Sequence, residues 1–230
     1  LYHYKIEYEE GLTRAVNGEG VHTSYYHRNG LVYDEIDGEG ALWKKRFNQF
    51  NELELERDPL GNETVYGHDD KGNVITVNYP EGGFEHREYW HPEFPHSLME
   101  ALDSHGGKWK FAYDTAGNLT ERTNPMGAKL LIEYEDGLPV KITDEAGGVT
   151  QLTFDAESNL SEVLDPLGAC WQYKHNRWGW ERQESNPNEL KRKIQYDLIG
   201  RAVEIQDFDN NFISLTYDGI DNVLRYRDQQ

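Results

Sequence analysis

The sequence predicts an all-β protein built as an antiparallel array of β-hairpins. Three observations predict it: landmarks that recur about every 21 residues almost end to end, strand-period alternation inside each recurrence, and turn chemistry at both of its ends. A repeat is read before anything else because it decides the architecture.

The stretch KWKFAYDTAGNLTERTNPMG, residues 108–127, shows the unit most clearly. Trp109, Phe111 and Tyr113 alternate with Lys108, Lys110 and Ala112, the period-2 signature of a strand with one apolar and one wet face. Residues 114–118 then reverse the chain: Asp and Asn bond their own backbone in a turn, and Gly117 can take the positive φ of a tight hairpin. Leu119 opens the return strand, which stops at Asn124-Pro125-Met126-Gly127, where proline removes a ladder donor.

In chain order the aromatic anchor, or its stand-in, falls at Tyr8, Tyr26, Phe47, His68, Tyr89, Tyr113, Tyr134, Phe154, His175, Tyr196 and Tyr217. The spacing is 21 in seven intervals, with 18, 24 and 20 elsewhere. Four residues on stand Gly30, Gly72, Gly117, Gly179 and Gly200, with Asn51, Ser158 and Asp221 as substitutes that tolerate left-handed backbone. The closing turn recurs at 58–61, 124–127, 144–147, 165–168 and 186–188. One array over residues 1–230 is expected, with an irregular unit at 89–107 whose loop His91-Pro92-Glu93-Phe94-Pro95-His96 absorbs the longer spacing. The helix-permissive run 97–102 is read as strand. The chain opens inside a repeat-like strand, and Tyr217-Asp218 begins a further unit, so the sequence reads as part of a longer chain.

Composition agrees. Only 37% of residues are hydrophobic and mean hydropathy is −0.86, too little for a compact core of this length but suitable for strands with one wet face. A net charge of −19 opposes binding to nucleic acid or anionic membranes. No apolar run is long enough to span a bilayer as a helix, and membrane insertion is not expected. The single cysteine, Cys170, forms no internal disulfide and says nothing about export.

The segments Tyr113-Asp114-Thr115-Ala116-Gly117-Asn118-Leu119, His68-Asp69-Asp70-Lys71-Gly72-Asn73-Val74 and Tyr196-Asp197-Leu198-Ile199-Gly200-Arg201-Ala202 carry a family resemblance, with Phe154-Asp155 to Asn159-Leu160 one substitution away. Together with the Asp/Asn-Pro-x-Gly closing turns, they resemble the YD repeats of Rhs proteins, which the Tc-toxin shell and teneurins share. The resemblance covers about 200 of the residues. It implies a curved ribbon of hairpins, a single layer that spirals into a hollow shell around a toxic polypeptide. That cargo would be the toxin domain of the same longer polypeptide, secreted or delivered by a bacterial secretion system to competitor cells. It marks Tyr26, Gly30, Asp69, Gly72, Tyr113, Asp114, Gly117, Phe154, Asp155, Tyr196, Asp197, Gly200, Tyr217 and Asp218 as structural repeat positions. Geometry supports a curl independently: roughly twenty strands about 4.8 Å apart make a ribbon of about 100 Å, wider than an open sheet stays flat. Secretion-system proteins or a second copy are further partners to expect.

Other constellations read as structure. Asp58-Pro59-Leu60-Gly61 and Asp165-Pro166-Leu167-Gly168 resemble the self-cleaving Asp-Pro-x-Gly-Leu motif of Rhs cores, but Asn62 and Ala169 replace its leucine, and turns explain both. His86, His91, His96 and His105 crowd one region without a metal-ligand pattern. Cys170 is out of phase with His175, so the two do not form a nucleophile pair. Carboxylates at 34–38 and 207–210 miss calcium-loop spacing and read as solvated turns. No catalytic, metal or cofactor residue is assigned, and no enzyme activity is expected. Trp178 and Trp180 break the repeat pattern and are the candidate contact surface for the alternative reading, a glycan- or protein-binding module.

Overall fold

The computed structural model describes residues 5–219 and 221–229. Residues 1–4, which the sequence assigns to a repeat-like strand, and Ile220, in the last Tyr-Asp segment, lie outside them, as does Gln230. The fold is all-β, 22 antiparallel strands from Lys5–Glu9 to Val223–Gln229, with no helix among the described residues. Of the run 97–102, only Glu100–Leu102 is strand; the residues before it are loop.

Backbone packing divides the chain into two compact units, Leu1–Ala112 with Thr123–Gly127, and Tyr113–Arg122 with Ala128–Gln230. In the first, strands pair in chain order from Lys5–Glu9 through Lys108–Tyr113. In the second the same meander runs from Lys129–Glu135 to Val223–Gln229. Among the described residues, strand-to-strand contacts join chain neighbours, and each unit is a single layer. Among the described residues only Leu12 and Val77 are buried hydrophobics. The accessible surface, 15697 Å², exceeds the roughly 11,000 Å² of a compact monomer of this mass.

Most reversals are one five-residue device; those between Glu9 and Leu12, Arg28 and Leu31, and Glu135 and Leu138 are shorter and close over two residues. At 114–118, the Asp114 N–H donates to the Asn118 carbonyl (2.9 Å), and the Gly117 N–H returns to the Asp114 carbonyl (3.1 Å). The Asp114 Oδ1 accepts from the N–H groups of Ala116 and Asn118, both at 2.9 Å. The closing turn 165–169 repeats every bond: Asp165 N–H to Ala169 O, Gly168 N–H to Asp165 O, and Oδ1 accepting from Leu167 and Ala169. The fourth residue carries positive φ in both, +87° at Gly117 and +84° at Gly168. The non-glycine stand-ins adopt it too, at Asn51 (+67°), Ser158 (+64°) and Asp221 (+67°). In the turn opening at Asn186 the left-handed residue is Glu189, one beyond the Asn-Pro-Asn triplet, because position four of the device decides it.

The two reversals differ one step further out. Register shifts by one residue beside the anchors Phe47, His68, Tyr134, Phe154, His175, Tyr196 and Tyr217. Pairings across closing turns carry no such shift. The reason is parity. Where both reversals of a unit are this five-residue turn, cross-strand partners flank each turn an even number of positions apart, so an unbulged unit would repeat over an even number of residues. Anchors 21 apart share a face only because the return strand carries one extra, bulged residue. The first hairpin differs in both respects: Glu9 pairs with Leu12 across a shorter reversal, no bulge is present, and Tyr8 and Tyr25 align through Thr13. Tyr26, the expected anchor, therefore points to the other face and is 40% exposed, while Tyr25 takes its place on the aromatic face.

Candidate interaction surface

Correct parity sorts the side chains. In the second unit Leu152, Val163 and Trp171 are direct cross-strand neighbours, as are Ile194, Ile205 and Ile213. They form two apolar runs of half-buried residues, separated on the same face by Glu184 and Arg192. The opposite face carries Lys141 beside Gln151, and Gln195, Glu204, Ser214 and Arg227 in one row. Its ion pairs, such as Lys141 with Glu133 at 2.7 Å, are exposed and contribute little individually. In the first unit the corresponding aromatic row is Tyr8, Thr13, Tyr25, Glu35 and Trp43. Trp109 and Phe111 are half-buried, between the exposed Lys108, Lys110 and Ala112.

Anchor tyrosines also tie one unit to the next. The hydroxyl of Tyr134 donates to the Leu119 carbonyl (3.1 Å), Tyr196 to Glu181 (2.7 Å) and Tyr217 to Ala202 (2.7 Å). Each acceptor opens a return strand, where the bulge interrupts the ladder and frees a carbonyl. Phe47 and Phe154 fill the anchor position without a hydroxyl to donate.

The repeated aspartates are spent within their turns. The Asn118 side chain and then its N–H hold the Asp114 carboxyl below the ordinary aspartate range. The Asn211 side chain does the same for Asp207, and the Asn159 and Arg201 N–H groups lead for Asp155 and Asp197. Asp58 and Asp165 hold the same turn bonds as Asp114, with both Oδ1 atoms occupied by backbone N–H groups. Arg201 joins turns, donating to Asp197, to the Asp218 carbonyl and to Asp221, with its guanidinium 4.7 Å from the Tyr217 ring centre.

The histidines serve loops. His91 Nδ1 accepts from the N–H groups of Glu93 and Phe94, and His96 Nδ1 lies 2.6 Å from the Asn73 Oδ1 of a buried asparagine that also donates to Pro95 O. His86 faces Glu88 at 3.6 Å, and His105 contacts Ser104. Cys170 shares its face with Gln172 and Lys174, away from His175, and burial followed by the nearby Glu162 pushes its thiol pKa up. Among the described residues no three His, Cys, Asp or Glu side chains converge as a metal site.

Trp178 and Trp180 do come together, stacked at 5.2 Å with rings 21° apart, and Trp180 packs on Tyr196 at 5.4 Å. The Arg177 guanidinium sits 4.0 Å from the Trp178 ring centre. Trp178 thus holds both a cation–π and a stacking contact. Trp180 also covers Gly200, where φ is +93° and an added Cβ would meet the indole at 2.6 Å. This cluster braces two successive hairpins, and Trp178 stays 53% exposed. Sequence spacing could not show which ring faces were occupied. The signal for the bulges was present, in the odd spacing of 21.

No family model and no curated protein matches the chain. Solved structures do. The chain is similar to TcdB2-TccC3 without its hypervariable C-terminal region, with TM-score 0.48, 13% identity, and coverage of 98% of this chain and 17% of that one. It is similar to the Photorhabdus luminescens Tc holotoxin pore with TM-score 0.44, 13% identity and the same coverages. A porin-like protein from Bacteroides uniformis matches with TM-score 0.24 and 12% identity over 95% of this chain and 90% of that one. The chain thus spans about a sixth of the length of the Tc structures it matches.

Proposed function

We propose that this chain is a structural segment of an Rhs-type shell, which sequesters the toxic domain of the same longer polypeptide until a bacterial secretion system delivers it to a competitor cell. One observation carries the reading: each unit is one layer thick, with apolar and aromatic residues concentrated on one face, interrupted by Glu35, Glu184 and Arg192, and a charged, hydrated row on the other. Apolar rows of this extent are aggregation-prone in water and acquire a cover. A toxic polypeptide held on the apolar side would be covered by it and shielded from proteases, while the polar side stays wet. The in-phase Tyr-Asp units quoted above support the family assignment.

The test is to co-express the chain with the polypeptide encoded next to it and follow limited proteolysis. Sequestration predicts co-purification and slower digestion of that polypeptide; equal digestion with and without the chain rejects it. A Phe111→Asp variant should lose the complex, whereas Lys110→Asp keeps it, because only the first charge falls on the apolar side.

The second reading, a binding module on the same repeats, is favoured by exposed aromatic side chains, Trp43 at 45% and Trp90 at 60%.

A further inference from the structure

The first unit contains a cleft of about 330 Å³ with an aromatic floor. It crosses four successive strands and the turn beyond them, lined by Glu35, Trp43, Lys45, Glu56, Asn62 and Thr64, with Pro80 at its far wall. The register explains why these residues meet. Glu35 lies directly across from Trp43, Lys45 across from Glu56, and Glu56 across from Thr64.

Commitments within the cleft are uneven. Glu56 pairs with Lys45 at 3.3 Å and accepts from the Tyr66 hydroxyl at 2.8 Å. Burial and that bond push the Tyr66 pKa up to about 12, so this hydroxyl stays a donor at neutral pH. Asn62 bonds Asp58 at 2.8 Å. Among the described residues, Trp43 has no ring partner and Glu35 no hydrogen bond or ion pair. Trp178 differs in holding ring contacts with Arg177 and Trp180, although it is 53% exposed against 45% for Trp43. Charge is balanced too, with Glu35, Glu56 and Asp58 against Lys44, Lys45 and Arg57. In a chain of net charge −19, a locally neutral cleft selects neither for nor against an ion.

We propose that this cleft is a binding site for a neutral hexopyranose, as a residue of an oligosaccharide. The apolar C–H face of the sugar ring would lie on the Trp43 indole, where the negative aromatic face meets polarised C–H groups. Ring hydroxyls would donate to the Glu35 carboxylate and accept from Lys45 Nζ, with Thr64 able to do either. An aromatic floor ringed by a few convergent polar groups is the general form of a small-ligand site, and the volume suits a sugar unit. The proposal names a ligand and a location for the binding-module reading and does not depend on the shell.

The protein carries six tryptophans, so 5-fluorotryptophan labelling gives each a ¹⁹F resonance, assigned by single Trp→Phe variants. Cellotetraose, mannotetraose and galactotetraose are titrated separately. At least one should shift the Trp43 resonance with a Kd near about 1 mM. Glu35→Gln should weaken that binding about tenfold, Trp43→Ala should abolish it, and Trp178→Ala should leave it unchanged. The five remaining resonances report whether each variant is folded, which separates lost binding from lost structure. Shifts at Trp178 or Trp180 alone, or no shift with any of the three, would overturn the assignment. Either result leaves protease protection, the test of the shell, undecided.

Discussion

The reversals at Asp155 and Asp165 close with the same bonds and the same left-handed fourth residue, yet only the first is followed by a bulge. Turn chemistry therefore does not set the register beyond the turn. What sets it after the five-residue opening turns is the extra residue that lets anchors 21 apart share a face. In this chain the loops decide where strands reverse, and the bulges decide which side becomes apolar.

The strongest way to break that contrast is to remove the extra residue. Deleting Ser161, which lies between the register positions Leu160 and Glu162, should throw either the hairpin pairing or every later anchor onto the wrong face. The variant should be insoluble or lose its cooperative thermal transition. Deleting Leu167 from the plain turn should be milder, since a shorter turn can form without changing the face of Trp171. Equal melts of the two would show that parity is not what the bulge maintains.

Next in size is the left-handed position. Gly117→Val should cost about 2 kcal/mol, because a β-branched residue is penalised at φ +87°, while Thr115→Val should cost less than about 0.5 kcal/mol. Urea midpoints of the two variants check this, and coincident midpoints would contradict the turn geometry.

Tyr196→Phe removes one hydroxyl from the carbonyl of Glu181 and should cost about 1 kcal/mol. Among the described residues no such bridge is recorded at Phe154, so Phe154→Leu would report packing alone. A Tyr196→Phe melt identical to the parent would mean that water replaces the hydroxyl without loss.

The smallest effect separates charged turns from amide turns. The carboxyls of Asp58, Asp69, Asp103, Asp114, Asp155, Asp197 and Asp207 are all held below their ordinary values. A depressed folded value contributes stability that is complete above the unfolded pKa, about 3.9, and is lost as pH falls through the folded values. Urea midpoints should therefore drop between neutral pH and about pH 3. Asp114→Asn should narrow that drop slightly, at the cost of the Asn118 side-chain bond to Oδ2. The turns at Asn48, Asn176 and Asn186 already use a neutral oxygen and should not contribute to it.

Much of this was legible in the residues themselves. Gly72, Gly117 and Gly200 announce left-handed backbone, as do Asn51, Ser158 and Asp221 by substitution, because few residues tolerate that conformation. Alternation in KWKFAY announces its strand. Two things were hidden. Spacing of 21 from Phe47 points to Tyr26, because it cannot show that the reversals between Glu9 and Leu12 and between Arg28 and Leu31 are two-residue turns that bring Tyr25 onto the aromatic face. The Trp43 cleft depends on Glu35, eight residues away in sequence and adjacent only through pairing. Likewise Arg177 packing over Trp178 is a matter of rotamer and ring orientation, which no local pattern encodes.

Among the described residues strands pair with their chain neighbours, which also governs how each unit acquires its structure. Most of these pairings are closed by a loop of a few residues, so contact order is low for a β-protein and the entropic cost of assembly is met in small instalments. Each hairpin is a poor folder alone and a good template for the next, which makes growth resemble zippering from any nucleus along a one-dimensional lattice. Damage then propagates by distance along the chain: a broken hairpin uncouples what lies on its two sides and leaves both able to persist.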